Sequence, residues 1–258
     1  MVSPGGHPQN SAKFQPRYTE GMKIQAIPST LLGENAYVVH SEGASDALVI
    51  DPGYGTAGPI HDYLARHQLE VANVLLTHGH PDHVWDCGQF TAPVWIPGPD
   101  RYRLEDPLAY VPFRQGWGPE PFQAPSDLRQ LTSQTQMLAT AVPILMIPAP
   151  GHTEGSAVLL SQIDAGTTVE LNVPGLPTGK HELAQNQPIA WPGDVIFAGS
   201  VGRTDLPGGD ETQMRHTLRT LSNALDPATW LLPGHGPATS WEIEKRTNPY
   251  VRRAQEVG

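Results

Sequence analysis

Cysteine is nearly missing from this chain of 258 residues: Cys87 is the only one, so no disulfide within the chain can staple the fold. Stability has to come from burial. A hydrophobic share of 38% over 258 residues suits one large domain, or one domain with a small appendage. Basic residues are scarce as well. Sixteen Lys and Arg face 26 Asp and Glu, for a formal net charge of −10. Such a chain is poorly suited to nucleic acid or to an anionic membrane surface, because phosphates need cationic partners. No apolar run approaches the roughly 18 residues that span a bilayer. Residues 1–20 are rich in Pro, Gly and polar types and lack the apolar core of a signal peptide. These absences predict a cytoplasmic protein with a flexible leader over residues 1–21 and one folded domain over 22–258. They exclude nucleic-acid and membrane partners and assign no oligomeric state.

Turn-forming residues are plentiful, with 26 Gly and 27 Pro, so many short elements should follow one another. Segments 23–28, 35–40 and 47–51 read as strands separated by the turn signals Gly33-Glu34 and Glu42-Gly43. Segment 59–68 has the helical pattern of Ile60, Leu64 and Ala65. Segment 71–76 is a nearly unbroken apolar run, which predicts a strand buried on both faces. A short helix is expected over 84–90, and strands over 93–96, 144–147, 157–160 and 230–232. Helices are expected over 211–225 and 240–246. Segment 98–126 mixes Pro, aromatics and Arg and reads as helix plus loop on the surface. Segment 164–188 is polar and rich in Gly and Pro, which predicts a hairpin with a mobile tip. The alternation of strands and helices places the chain in the α/β class with layered sheets.

The segment with the clearest chemistry is Thr77-His78-Gly79-His80-Pro81-Asp82-His83, directly after the apolar run. A strand end is rigid, and the loop leaving it can aim several side chains at one point. Pro81 favours the first turn of a helix. Four donors within six residues suit a divalent ion such as zinc, which takes imidazole and carboxylate. His152 in Pro150-Gly151-His152-Thr153, Asp194 in Gly193-Asp194 and His235 in Pro233-Gly234-His235-Gly236 each follow a short apolar segment. Together they supply five imidazoles and two carboxylates, enough for two ions with one carboxylate shared.

The segments T-H-G-H-P-D-H, P-G-H-T-E-G-S, G-D-V-I-F-A-G-S-V-G-R-T-D and L-P-G-H-G-P resemble the metallo-β-lactamase superfamily, and within it the glyoxalase II-type (hydroxyacylglutathione hydrolase-like) branch. The resemblance runs from about residue 22 to 251. It implies an αβ/βα four-layer sandwich with two divalent metal ions at one edge; zinc is expected, with iron or manganese as alternatives. It also implies that His78, His80 and His152 hold one ion and Asp82, His83 and His235 the other, with Asp194 bridging. Asp51, in V-I-D-P-G, would orient a ligand histidine from behind. The implied reaction is hydrolysis of a small-molecule thioester, such as S-lactoylglutathione or an analogue on another thiol, by a water ionised between the ions. Asp82 would be catalytic, accepting a hydrogen bond from that water.

Departures accompany the resemblance. The C-terminal helical domain that binds the thiol in full-length glyoxalase II has no counterpart, since about twenty residues follow His235. Segment 164–188 overhangs the site or decorates an edge, decoration being the favoured reading. Trp191-Pro192 replaces the Phe-Thr of relatives, and Pro192 cannot donate a backbone bond. Gly202-Arg203-Thr204-Asp205 matches a pattern shared with persulfide dioxygenases; Arg203 and Asp205 either support the metal edge or form a turn salt bridge. Arg246, Asn248 and Pro249 are expected to end a helix. Tyr102, Arg103, Tyr110, Phe113 and Trp117 form a substrate-facing wall or a satellite core. Cys87 is expected to pack as a small hydrophobe. His7, His40, His61, His67, His181 and His216 carry no assigned role. The competing functions are a mononuclear iron persulfide dioxygenase, which would need only His78, His152 and Asp194, a lactonase or β-lactamase, and a non-catalytic binding protein.

Overall fold

A computed structural model of the chain describes residues 21–112, 121–183 and 186–256. The expected leader apart from Gly21, His7, and the aromatic pair Phe113 and Trp117 lie outside the described residues.

Strands β1 (Met22–Pro28), β2 (Asn35–Ser41) and β3 (Asp46–Ile50) form an antiparallel meander. Helix α1 (Ala57–His67) then crosses over to β4 (Glu70–Leu75), which lies parallel to β3. Strands β5 (Val94–Pro97) and β6 (Leu128–Leu131) continue the parallel run. The second sheet holds β7 (Gln136–Leu138), β8 (Ile144–Pro148), β9 (Ala157–Ile163), β12 (Gln187–Trp191), β13 (Trp230–Leu231) and β14 (Thr239–Ser240). Between β9 and β12 the chain returns to the first sheet as a hairpin, β10 (Thr168–Asn172) and β11 (Gly179–Glu182), with β10 parallel to β1. The order is β11-β10-β1-β2-β3-β4-β5-β6 in the eight-stranded sheet and β14-β13-β12-β9-β8-β7 in the six-stranded one.

Side-chain alternation along each strand sorts the apolar residues into layers. Met22, Ile24, Tyr37, Val39, Leu48 and Ile50 meet Ile144, Met146, Leu159, Ile189 and Trp191 between the two sheets. The opposite face of the first sheet, with Val38, Val49 and Val74, is covered by Ile60, Tyr63 and Leu64 of α1. The outer face of the second sheet is covered by α3 (Glu211–Ala224), α4 (Trp241–Thr247) and α5 (Pro249–Glu256), through Met214, Leu218, Leu221, Trp241 and Val251. The layering is the expected αβ/βα sandwich.

Three local expectations change. The helix expected over 84–90 starts at Pro81 and stops after one turn as α2 (Pro81–Val84), followed by a 3-10 turn at Cys87–Gln89. Asp86 explains the break: its Oδ2 accepts the Ala57 N–H that opens α1, at 2.9 Å, and its own N–H donates to Pro52 O. The strand over 71–76 is only half-buried at Val71, because β5 pairs with Val74 and Leu75 and does not reach the first residues of β4. Segment 98–126 is not a surface element at its start. The 3-10 segment Gly98–Leu104 carries Asp100 and Arg103 into full burial, and a second 3-10 turn, Pro107–Tyr110, follows it. Strands β6, β7, β12 and β14 and helix α5 carry no assignment in the sequence, while β10 and β11 form the hairpin expected within segment 164–188. Pro192 costs the sheet nothing, because β12 ends at Trp191. Cys87 is buried, and burial pushes its thiol pKa up.

Ile60 is fully buried where α1 seals the first sheet. Ile60→Ala should cost about 2–5 kcal/mol in urea unfolding; a loss under about 1 kcal/mol would mean that α1 is not part of the core.

Candidate metal centre

The seven donors leave the ends of four strands: His78, His80, Asp82 and His83 after β4, His152 after β8, Asp194 after β12 and His235 after β13. The two sheets are joined at this edge. Ala157 N–H donates to Thr77 O, and Asn35 N–H to Gly234 O. All seven side chains point to one centre. Donor atoms of His78, His80 and His152 lie within 4.8 Å of one another, as do those of His78, His83 and Asp194, and those of Asp82, His83 and His235. Six of the seven residues are buried; the side chain of His235 is 25% exposed.

The buried hydrogen bonds set which ring nitrogen is free. Asp51 accepts from Thr77 N–H at 2.7 Å and from the Thr77 hydroxyl at 2.6 Å. With its proton so engaged, Thr77 Oγ1 can only accept from His78 Nδ1, at 3.1 Å. The same Asp51 carboxylate takes the Nδ1 proton of His83 at 2.9 Å. Arg203 O, a carbonyl, takes the Nδ1 proton of His152 at 2.7 Å. In all three rings Nδ1 is held from behind and Nε2 is turned to the centre, which is how a backing carboxylate or carbonyl prepares an imidazole for a metal. Asp51 holds a positive φ of 47°, a strained backbone for a non-glycine residue.

Three observations fit a cation pair here. Nε2 of His78 and of His80 are buried without a hydrogen-bond partner among the described residues, which is costly for polar atoms. Nδ1 of His80 and Nε2 of His152 face each other at 2.8 Å. The Asp194 carboxylate stands between the two sets, with Oδ1 3.1 Å from His83 Nε2 and Oδ2 3.5 Å from His152 Nε2 and 3.7 Å from His235 Nε2. The residues present therefore fit two ions, one among His78, His80 and His152 and one among Asp82, His83 and His235, with Asp194 able to reach both. The trio Glu34, Asp51 and His83 is also compact, but His83 Nδ1 is already committed to Asp51 there.

Electrostatics divide the two sets. Burial, then the neighbouring imidazoles, push the His78 pKa well down and that of His80 to about 3, so both are neutral. Burial also opposes a charge on His83, but Asp194 and Asp51 outweigh it and raise its pKa well above the usual value. His235 is raised in the same way by Asp82 and Asp194. Burial works against both carboxylates, yet the hydrogen bond from His235 and the charge of His83 hold Asp82 below the usual range, and the charge and hydrogen bond of His83 hold Asp194 below it.

The sequence reading missed Asp100. It is fully buried and ties together the two loops that supply His78, His80 and His152. Its Oδ2 accepts from Gly79 N–H at 2.8 Å and the Thr153 hydroxyl at 2.7 Å, and its Oδ1 from Gly155 N–H at 2.8 Å. A Cβ at residue 155 would fall 2.5 Å from Asp100 Oδ1, so glycine is required for that approach. Arg103 lies beside Asp100, donates to Glu154 and to Pro207 O, and rests between the rings of Tyr102 and Tyr110. Tyr102 and Tyr110 themselves are half-buried, with their rings edge to face at 4.9 Å. Glu34 is a second missed residue, fully buried with its carboxyl 3.9 Å from His83 and its pKa raised by burial. Arg203 and Asp205 pair with each other on the surface at 2.6 Å, while the backbone of Arg203 supports His152. Asn248 does more than end a helix: its Nδ2 donates to Ser200 O and its Oδ1 accepts from Tyr250 N–H. His40, His61, His67, His181 and His216 belong to none of the donor groups.

The sequence model of the metallo-beta-lactamase superfamily matches residues 29–165. Hydroxyacylglutathione hydrolase GloC of Haemophilus influenzae is 27% identical over 236 residues, covering 89% of this chain and 98% of that protein. The crystal structure of BLEG-1 B3 metallo-beta-lactamase superposes with a TM-score of 0.68 at 26% identity, over 88% of this chain and 99% of that one. TTHA1623 in a di-iron-bound form superposes with a TM-score of 0.64 at 27% identity, over 87% and 98%. Among the described residues no helix is long and apolar enough to cross a membrane.

Protons compete with a metal for an imidazole, and a raised pKa lets them win at higher pH. On acidification, an ion at Asp82, His83 and His235 should therefore leave before one at His78, His80 and His152. Metal content after dialysis across a pH series checks this; simultaneous loss, or the reverse order, contradicts it. Asp100→Ala should weaken binding at the His78 trio by about 10–100-fold, read by equilibrium metal titration; an unchanged first affinity would show that Asp100 does not hold those loops.

Proposed function

Because the chain belongs to the metallo-beta-lactamase superfamily, we propose that it is a metal-dependent hydrolase acting on the thioester of a small thiol conjugate at a two-ion centre. The observation that carries this reading is the convergence of seven buried or half-buried donors on one point, with Nε2 of His78 and of His80 buried and lacking a hydrogen-bond partner among the described residues. Similarity to GloC over nearly the whole of that protein supports the thioester class. The reading sets the reaction among the reduced small thiols of the cytoplasm, with one small-molecule substrate as partner.

His78, His80 and His152 would hold one ion, Asp82, His83 and His235 the other, and Asp194 both. Zinc suits this mixed imidazole and carboxylate set; the di-iron form of TTHA1623 makes iron the alternative. When bound, two divalent ions supply Lewis-acid polarisation of a carbonyl and a water acidified to a pKa of about 7. Asp82, kept ionised and 3.2 Å from His235 Nε2, accepts a hydrogen bond from the attacking water and orients it. Thr77, Asp51 and the Arg203 carbonyl hold the imidazoles in the tautomer that leaves Nε2 unprotonated. Asp194 keeps the two donor sets in register. The net reaction breaks the C–S bond, forms a C–O bond and returns a carboxylate and a thiol.

The test pairs metal analysis with turnover of S-lactoylglutathione and a panel of thioesters, lactones and β-lactams. His80→Ala should lower thioester kcat/KM by roughly 10³-fold, the equivalent of about 4 kcal/mol of lost Lewis-acid stabilisation. Full activity in metal-stripped protein would refute the mechanism. Oxygen uptake with glutathione persulfide by an iron-loaded chain would replace hydrolysis with dioxygenation.

A further inference from the structure

We propose that the β10–β11 hairpin is a brace for the loop that carries His235, and that this brace sets whether the second ion binds. The inference rests on the two-ion reading above and assigns a positioning role to a segment first read as decoration.

The tip of the hairpin is docked, not free. Pro174 O accepts the N–H of Ala238 at 2.7 Å. Gly175 has a φ of +88°, and a Cβ there would meet Pro237 Cβ at 2.6 Å and Ala238 N at 2.9 Å. No other residue type allows this approach without displacement. Leu176 of the tip and Ala238 of the loop both pack against the core between the sheets. The base of the hairpin is anchored independently, because β10 pairs with β1 from Met22↔Val169 to Gln25↔Asn172.

The other end of the same loop is held by β2. Asn35 Nδ2 donates to Pro233 O at 3.1 Å and Gly236 O at 3.0 Å, and the Tyr37 hydroxyl donates to Pro233 O at 2.7 Å. β2 grips the residues on both sides of His235, and the hairpin tip grips 237–238 just beyond them. His235 is the most exposed of the seven donors, and its Nε2 reaches toward Asp82 and Asp194 at 3.2 and 3.7 Å. Loosening one grip lets the ring swing out of reach. The His78, His80 and His152 trio hangs on Asp100 instead, so its ion is insulated from the hairpin.

The experiment titrates zinc into the metal-free full chain and into two variants, Gly175→Ala and a shortened hairpin in which residues 173–178 are replaced by Asn-Gly. Wild type should bind two ions. Each folded variant should keep the first affinity and lose at least about ten-fold in the second. Far-ultraviolet circular dichroism checks folding, and the shortened hairpin carries the test if Gly175→Ala does not fold. Two ions at unchanged affinities in the variants overturn the brace while leaving the two-ion reading intact. Equal weakening of both ions also overturns it, since that marks general loosening. A wild-type chain that binds one ion sinks the two-ion reading, and the brace with it.

Discussion

Five imidazoles and two carboxylates crowd one edge of the sandwich, and their lone pairs face one another across distances as short as 2.8 Å. Burial removes the water that would screen them. In a medium of low dielectric such a set is stable only if positive charge is placed among it. Protons on His83 and His235 do part of this in the chain alone, drawn by Asp194, Asp51 and Asp82. A pair of divalent cations would do it completely. The rest of the site serves to keep this unfavourable cluster from relaxing apart. The Asp51–Thr77 pair holds His78 and His83, the Arg203 carbonyl holds His152, and Asp100 clamps the two loops behind the first trio.

The two-sheet layout makes the crowding possible. A single sheet would send its strand ends out along one line. Here the end of β4 comes from one sheet and those of β8, β12 and β13 from the other, and inter-sheet backbone bonds such as Ala157 to Thr77 close the edge. The intersheet core of Ile24, Leu48, Ile144, Leu159 and Trp191 sets the spacing. Rigid strands on both sides then fix the donors to within hydrogen-bonding tolerance, and the strain at Asp51 is sustained by the same packing. The cost of that rigidity falls on loops that depend on remote contacts, above all the one bearing His235.

Legibility followed the range of the interactions. The turn signals that bound β1, β2 and β3 and the helical face of α1 are local patterns, and each marked its element to within a few residues. All seven donors stand in short Gly-flanked motifs after apolar runs, so they were readable together with the resemblance. Asp100 was not. Its neighbours in sequence, Gly98, Pro99 and Arg101, spell a polar turn, and its importance arises from Gly79 and Gly155, 21 and 55 residues away. Glu34 reads as part of a Gly-Glu turn signal for the same reason. The helix at 84–90 failed because a tertiary bond from Asp86 to the start of α1 overrides local preference.

From the sequence alone came the layered α/β class, the absence of disulfides, the donor types and their order, and the family resemblance, since these depend on composition and on patterns a few residues long. Only the tertiary structure decided which ring nitrogens face the centre, which buried carboxylate clamps which loop, and that the tip of the expected hairpin, at 174–175, docks on residues 237–238. The physical reason is distance along the chain. A hydrogen bond such as Ala238 N–H to Pro174 O joins segments 64 residues apart and depends on where both sheets finally pack, so nothing in the local run of side chains announces it.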